Sequence, residues 1–295
     1  MPCEDDLKLS LREHLKGFLQ HLEAHGVTAE YLSMTESRLE KAFARVGADV
    51  FSDLNATKAE QLLLDMQRKG ASKKTRNDYC STMRQFATWV SVTKGWPNAF
   101  AALSRLKGQD DVRLRRRALT ADRLRRLFEA AENRSVAKYL EQCPEARAET
   151  LARLKRFGLE RAMVYRLGAL AGLRVNEIRT LTWGCLDLAG SPPTCTVKAR
   201  HAKSRRRDTI PLHSGPAAAL RRWQDLRRRE LGRPPLALEK VVRVPRHLSD
   251  EQFRKDCEVA GIALEDETGA VLDLYAATRH TFCTLLAQAG VAPHR

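Results

Sequence analysis

Apolar residues recur at helical spacing along most of the chain, and the pattern lapses for one long stretch between Trp96 and Ala118. That stretch holds a proline and then the run LKGQDDVRLRRR, so it neither continues a helix nor offers an apolar face to bury. Two separate helical units joined by a basic connector follow from it. The boundaries read from the pattern are residues 8–107, a linker over 108–118, and 119–295. A chain of 295 residues that is 43% hydrophobic can bury two cores.

On the N-terminal side, one stripe runs through Leu11, Leu15, Phe18, Leu19 and Leu22. Further stripes run through Ala59, Leu62, Leu63 and Met66, and through Tyr79, Met83, Phe86, Ala87 and Val90. With a weaker repeat at Leu39, Phe43 and Val46, this predicts a four-helix bundle. The last stripe is preceded by GASKKTRND, where Ser72 is the expected N-cap and Lys73, Lys74 and Arg76 fall in the first turn. Positive charge there opposes the helix dipole by about 0.3 to 1 kcal/mol per charge, and a phosphate would reverse the sign. These three residues are therefore candidate nucleic-acid contacts.

On the C-terminal side, Thr120 is the expected N-cap of a helix carrying Leu124, Leu127, Phe128 and Ala131. Cys195, Val197 and Ala199 alternate with polar residues, and DTIPL returns after a basic turn, which predicts an antiparallel strand pair. Helices resume from Ala217 to Arg229 and near Phe253. The fold class is mainly α with a small antiparallel β-sheet. Trp89, Trp183 and Trp223 read as packing residues, as do Cys195 and Cys283.

Lys and Arg number 52 against 36 Asp and Glu, a net charge of +16, so the expected partner is a polyanion. No apolar span approaches the ~20 residues of a bilayer crossing, which favours nucleic acid over membrane. The opening MPCEDDLKLS lacks a secretory pattern, and seven cysteines without a CxxC pair fit reduced thiols in a cytoplasmic, nucleoid-associated protein. No metal or other cofactor is expected.

Three basic elements stand out. In ALAGLRVNEIRTLTW, Gly172 is a natural helix C-cap, Arg174 follows at the junction, and Glu177 stands three residues on to brace it. In ARHAKSRRRDTIPL the hairpin connection carries Lys203, Arg205 and Arg206. In YAATRHTFCTLLAQAG, Arg279 and His280 precede Phe282, Leu285, Leu286 and Ala289, which places them near the start of a buried helix with free N–H groups. The linker adds Arg115, Arg116 and Arg117 as candidate backbone contacts.

Taken in this order behind a basic four-helix domain, GLRVNEIRTLTW, AKSRRRDTIPL and TRHTFCTLLAQAG resemble the tyrosine recombinase (phage integrase) family over nearly the whole chain. The resemblance implies a SAM-like core-binding domain over 8–107 and a catalytic domain over 119–295, closing as a C-shaped clamp on double-stranded DNA. It implies tetramers on two duplexes. It also implies that Arg174 and Arg279 grip the scissile phosphate while Lys203 protonates the leaving 5′ oxygen. A tyrosine attacks to give a 3′-phosphotyrosyl link. His280 matches a frequent family feature and braces the helix.

Two departures shape the expectation. The family's histidine three residues before the second arginine is replaced by Ala276, and a one-residue slip would let Tyr275 substitute. The nucleophilic tyrosine segment is not reached before Arg295, and Tyr31, Tyr79, Tyr139, Tyr165 and Tyr275 all precede Arg279. The expectation is thus a truncated member that binds DNA without forming the covalent link, alone or beside a full-length homologue. A general nucleic-acid-binding or regulatory protein is the alternative.

Overall fold

The computed structural model describes residues 9–107, 114–199, 206–243 and 250–291. The chain divides into two compact units, Met1–Arg113 and Leu114–Arg295. Among the described residues no helix is long and apolar enough to cross a membrane.

The first unit contains α1 (Leu11–Ala24), α2 (Ala29–Val46), a 3-10 turn (Phe51–Asp53), α3 (Ala56–Arg68) and α4 (Lys73–Lys94). Local chemistry starts each helix. Ser10 and Glu13 form a reciprocal capping box on α1, and the side chains of Thr28, Asn55 and Ser72 each accept an N–H of the next helix. The apolar stripes then meet in one core, where Phe86 packs edge-on to Phe18 at 5.6 Å and tilted against Phe43 at 5.3 Å between ring centroids. Burying each such ring contributes roughly 1.5 to 3 kcal/mol. The exit of the unit is pinned by Asn77, whose side-chain amide accepts from Leu106 N (2.8 Å) and donates to Leu106 O (3.1 Å).

The second unit contains α5 (Ala121–Gln142), α6 (Ala148–Ala171), α7 (Val175–Thr180), a 3-10 turn (Trp183–Cys185), β1 (Leu186–Asp187), β2 (Thr194–Val197), β3 (Asp208–Pro211), α8 (Ser214–Leu231) and α9 (Asp250–Val259). One turn of π-helix (Ala276–His280) then leads into α10 (Thr281–Gln288). The sheet is antiparallel in the order β1-β2-β3, with Cys195 opposite Leu186 on one side and Ile210 on the other. The expected hairpin is therefore present, and the two-residue β1 extends it.

Helix α6 lies between two cores. One is shared with α7, the sheet and α8, the other with α5, α9 and the π turn. Contact with α5 is so close that a Cβ on Gly158 would sit 2.2 Å from the carbonyl oxygen of Glu132. Where the three helices α5, α6 and α9 meet, the fully buried Asp256 accepts from Arg134 (2.6 Å), Arg161 (3.1 Å) and the Tyr165 hydroxyl (2.8 Å). A buried carboxylate needs such partners, and two guanidinium groups and a phenol supply them.

The basic segment after Arg113 belongs to the second unit. Val271 N–H donates to Arg115 O at 2.7 Å and Arg117 N–H donates to Val271 O at 3.2 Å. Residues 108–113 of the expected linker lie outside the described residues.

Candidate functional site

Helix α6 ends at Gly172, whose φ of 67° is a left-handed conformation open to glycine at little cost. Two residues later, Arg174 occupies the N-cap position of α7. Glu177, only 6% exposed, holds it at both ends: one carboxylate oxygen accepts the Arg174 backbone N–H (2.8 Å) and the other accepts its guanidinium (2.8 Å). The Arg174 side chain remains 39% exposed. The brace expected from the sequence is present, and it orients an accessible fork.

Arg279 reaches the same junction from a segment 107 positions later, donating from its guanidinium to the carbonyl of Gly172. Close helix packing makes this contact. A Cβ on Gly168 would sit 2.6 Å from Thr278 Cβ, and one on Gly172 would sit 2.4 Å from the Phe282 ring, so both glycines let the two helices touch. The G-x-x-x-G spacing of Gly168 and Gly172 was the sequence signal for this approach.

The expected position of Arg279 at a helix start is corrected. The helix begins at Leu274, capped by Asp273, whose carboxylate accepts the Ala276 N–H at 2.7 Å. Arg279 therefore lies more than a turn inside, and its anchor is the Gly172 carbonyl instead of free N–H groups. Between Ala276 and His280 the helix widens to a π turn, with Thr281 N–H donating to Ala276 O five residues back. The buried Thr281 hydroxyl also donates to Ala276 O (2.6 Å) and accepts Leu119 N–H (3.0 Å), which ties the turn to the entry of α5. His280 is half-buried in this turn. Cys195 is fully buried as expected, whereas Cys283 is exposed, because it sits beside the Phe282 stripe and not on it.

Tyr275, 51% exposed, lies one helical step before the π turn. The Arg116 guanidinium stands 5.3 Å over its ring and donates to Asp273 at 2.8 Å, so Arg116 orders the approach to this helix.

A model of the phage integrase family matches residues 117–295, more than half of the chain. The chain belongs to the phage integrase family. No curated protein sequence matches it. Among solved structures, this integrase-family chain is similar to lambda integrase in a dimer bound to a COC′ core site, with a TM-score of 0.62 and 17% identity over 97% of this chain and 96% of that one. It is similar to a lambda integrase tetramer bound to a Holliday junction, with a TM-score of 0.62 and 18% identity over 97% and 75% of the two chains. The Tn1549 transposon integrase in complex with a circular intermediate DNA gives a TM-score of 0.60 and 18% identity over 97% and 89%. At such identities the likeness is one of fold.

The other cations singled out in the sequence differ in their surroundings. Lys203 and Arg205 lie outside the described residues, and Arg206 is exposed at the entry to β3. Arg117 is corrected: it is 11% exposed, donates to the carbonyl of Ala263 and stands 4.0 Å from Asp266, so it holds the fold. Arg76 is corrected as well. It shares a helical face with Cys80, Met83 and Ala87, is buried with them, and donates to Gln67 at 2.5 Å. Lys74 and Arg115 are exposed and Lys73 is half-buried. Sequence reasoning missed Asp273, Thr281 and Asp256, which set the positions of Arg116, the π turn and α6. An acid three residues ahead of the Ala276 N–H was the cap signal for Asp273.

Proposed function

We propose that this protein binds double-stranded DNA as a site-specific tyrosine recombinase of integrase type, with Arg174 and Arg279 gripping one backbone phosphodiester. The observation that carries the reading is the docking of Arg279 on the Gly172 carbonyl, two residues from Arg174. Each guanidinium has five N–H donors, and among the described residues each uses one, so forks remain for phosphate oxygens. Charge that builds on those oxygens during phosphoryl transfer is held bidentately, and one such preorganised donor lowers a barrier by roughly 3 to 4 kcal/mol.

The first unit acts as the SAM-like core-binding domain, with Lys73 and Lys74 at the start of α4 toward the DNA backbone. Lys203 supplies the proton to the leaving 5′ oxygen. Tyr275 takes the place of the family's histidine: the π turn adds one residue between it and Arg279, which is the register slip the substitution requires. Lambda integrase is seen as a dimer on a core site and as a tetramer on a Holliday junction, and in the same way this protein works in an assembly on DNA, with a homologue or further copies of itself.

Residues 1–295 by themselves hold the phosphate without a covalent link. Tyr165 is buried, its hydroxyl donates to Asp256, and burial first and Asp256 second push its pKa far above the ordinary phenol value. Tyr275 has its ring held under Arg116. A duplex carrying a nick beside the cleavage position traps any 3′-phosphotyrosyl adduct, and residues 1–295 are expected to give no protein–DNA band on denaturing gels. A band would overturn this reading, and its loss in Tyr275→Phe would name the nucleophile.

A further inference from the structure

The second unit has another concentration of arginine, remote from Arg174 and Arg279. The start of α6, the end of α8 and Arg243 surround a cavity of about 640 Å³. Its cations are Arg147, Arg153, Arg156, Arg227 and Arg243, set against the carboxylates of Glu149 and Glu230. Helix α6 measures the separation: from Arg153 to Gly172 it rises roughly 28 Å at about 1.5 Å per residue. The cavity and the arginine pair therefore occupy opposite ends of one helix.

Several features select the ligand. Among the described residues every cation in the lining is an arginine, whose planar fork matches oxyanions where a lysine would offer only a point charge. Arg227 is paired with Glu230, but the exposed Arg147 and Arg153 make no ion pair among the described residues. Arg147 is also the N-cap of α6 and its side chain does not cap the helix, so a cation stands at the positive end of the dipole. Beneath them, burial raises the pKa of the Glu160 carboxyl, while the neighbouring Arg156, Arg243 and Arg227 pull the other way. No aromatic ring lines the cavity among the described residues, which gives a base or other flat ring nothing to stack on. A phosphate spreads its charge over oxygens pointing in several directions, so forks converging from two helices can each reach one. A carboxylate presents a single edge.

We propose that this cavity is a second phosphate-binding site, taking either DNA backbone other than that held by Arg174 and Arg279 or a free polyphosphate. Tripolyphosphate is the probe, titrated by calorimetry into the full chain, and it reads the cavity whether or not the DNA-binding proposal holds. The double variant Arg147→Gln/Arg153→Gln is expected to bind it at least ~10-fold more weakly, the loss of about 1.4 kcal/mol or more from charge-assisted hydrogen bonds, while Arg174→Gln binds as the parent does. If the salt dependence of duplex binding also falls by ~1.8 in the double variant, at ~0.9 per phosphate, the source is DNA. If that slope is unchanged while tripolyphosphate binding is lost, the source is a free anion. Equal tripolyphosphate affinity in parent and double variant overturns the proposal, as does poly-glutamate binding as tightly at the same residues. Should the double variant melt early, Arg153→Lys keeps the charge and removes the fork, and a severalfold loss of tripolyphosphate affinity is expected from it.

Discussion

Burial sets the behaviour of Glu160. Its pKa is raised above the ordinary 4.5, so the folded chain binds this proton more tightly than the unfolded chain does. The associated stability is complete below 4.5 and is lost as pH rises through the folded value. Glu160→Gln stays neutral throughout and keeps an acceptor for the Arg243 backbone N–H. Melting temperatures of parent and variant should agree below pH 4.5 and separate above it, with the variant the more stable; a gap that closes with rising pH would contradict this. Glu177 shows the opposite use of a buried carboxylate, since it is matched donor for acceptor with Arg174 and holds that side chain ready. Spacing made the Glu177 brace legible from the sequence. Glu160 was not legible, because nothing local in it distinguishes a buried glutamate from a solvated one.

At the scale of elements, the contact between α6 and the helix of Arg279 decides the site. Alanine for glycine inside a helix ordinarily stabilises by roughly 0.5 to 1 kcal/mol. At Gly168 the added Cβ would stand 2.6 Å from Thr278 Cβ and 2.7 Å from its Cγ2, so the helices must part. Gly168→Ala should therefore destabilise by about 1 to 3 kcal/mol in urea titration, and it should weaken DNA binding because Thr278 adjoins Arg279. A stabilised variant would show that the packing is looser than this. The apolar helical stripes, the Ser72 and Thr120 caps and the hairpin were legible in the sequence because each rests on residues within a few positions of one another. The π turn was not, since its carbonyl partners include the Thr281 hydroxyl, which is placed by Leu119 from 162 positions earlier in the chain.

For the molecule as a whole, a net charge of +16 overstates what a DNA partner can use. Arg134 and Arg161 serve Asp256, Arg166 pairs with Glu132, and Arg117 holds Ala263. The salt dependence of duplex binding separates the two kinds of arginine. Arg174→Gln should lower the slope of log K against log salt by ~0.9, one phosphate, while Arg117→Gln should leave the slope alone and lower the melting temperature. Equal changes in slope would remove the distinction. The amino-acid sequence by itself determined most of the helices, the basic character and the order of the three arginine- and lysine-bearing motifs, because periodicity and charge are properties of neighbouring residues. Only the tertiary structure decided where each guanidinium went. Arg279 meets Gly172 across 107 positions, Arg116 meets Asp273 across 157, and Arg161 meets Asp256 across 95. Whether a cation is buried and paired or left to face a ligand depends on which distant carbonyls and carboxylates the fold brings within hydrogen-bond reach, and no local pattern carries that information.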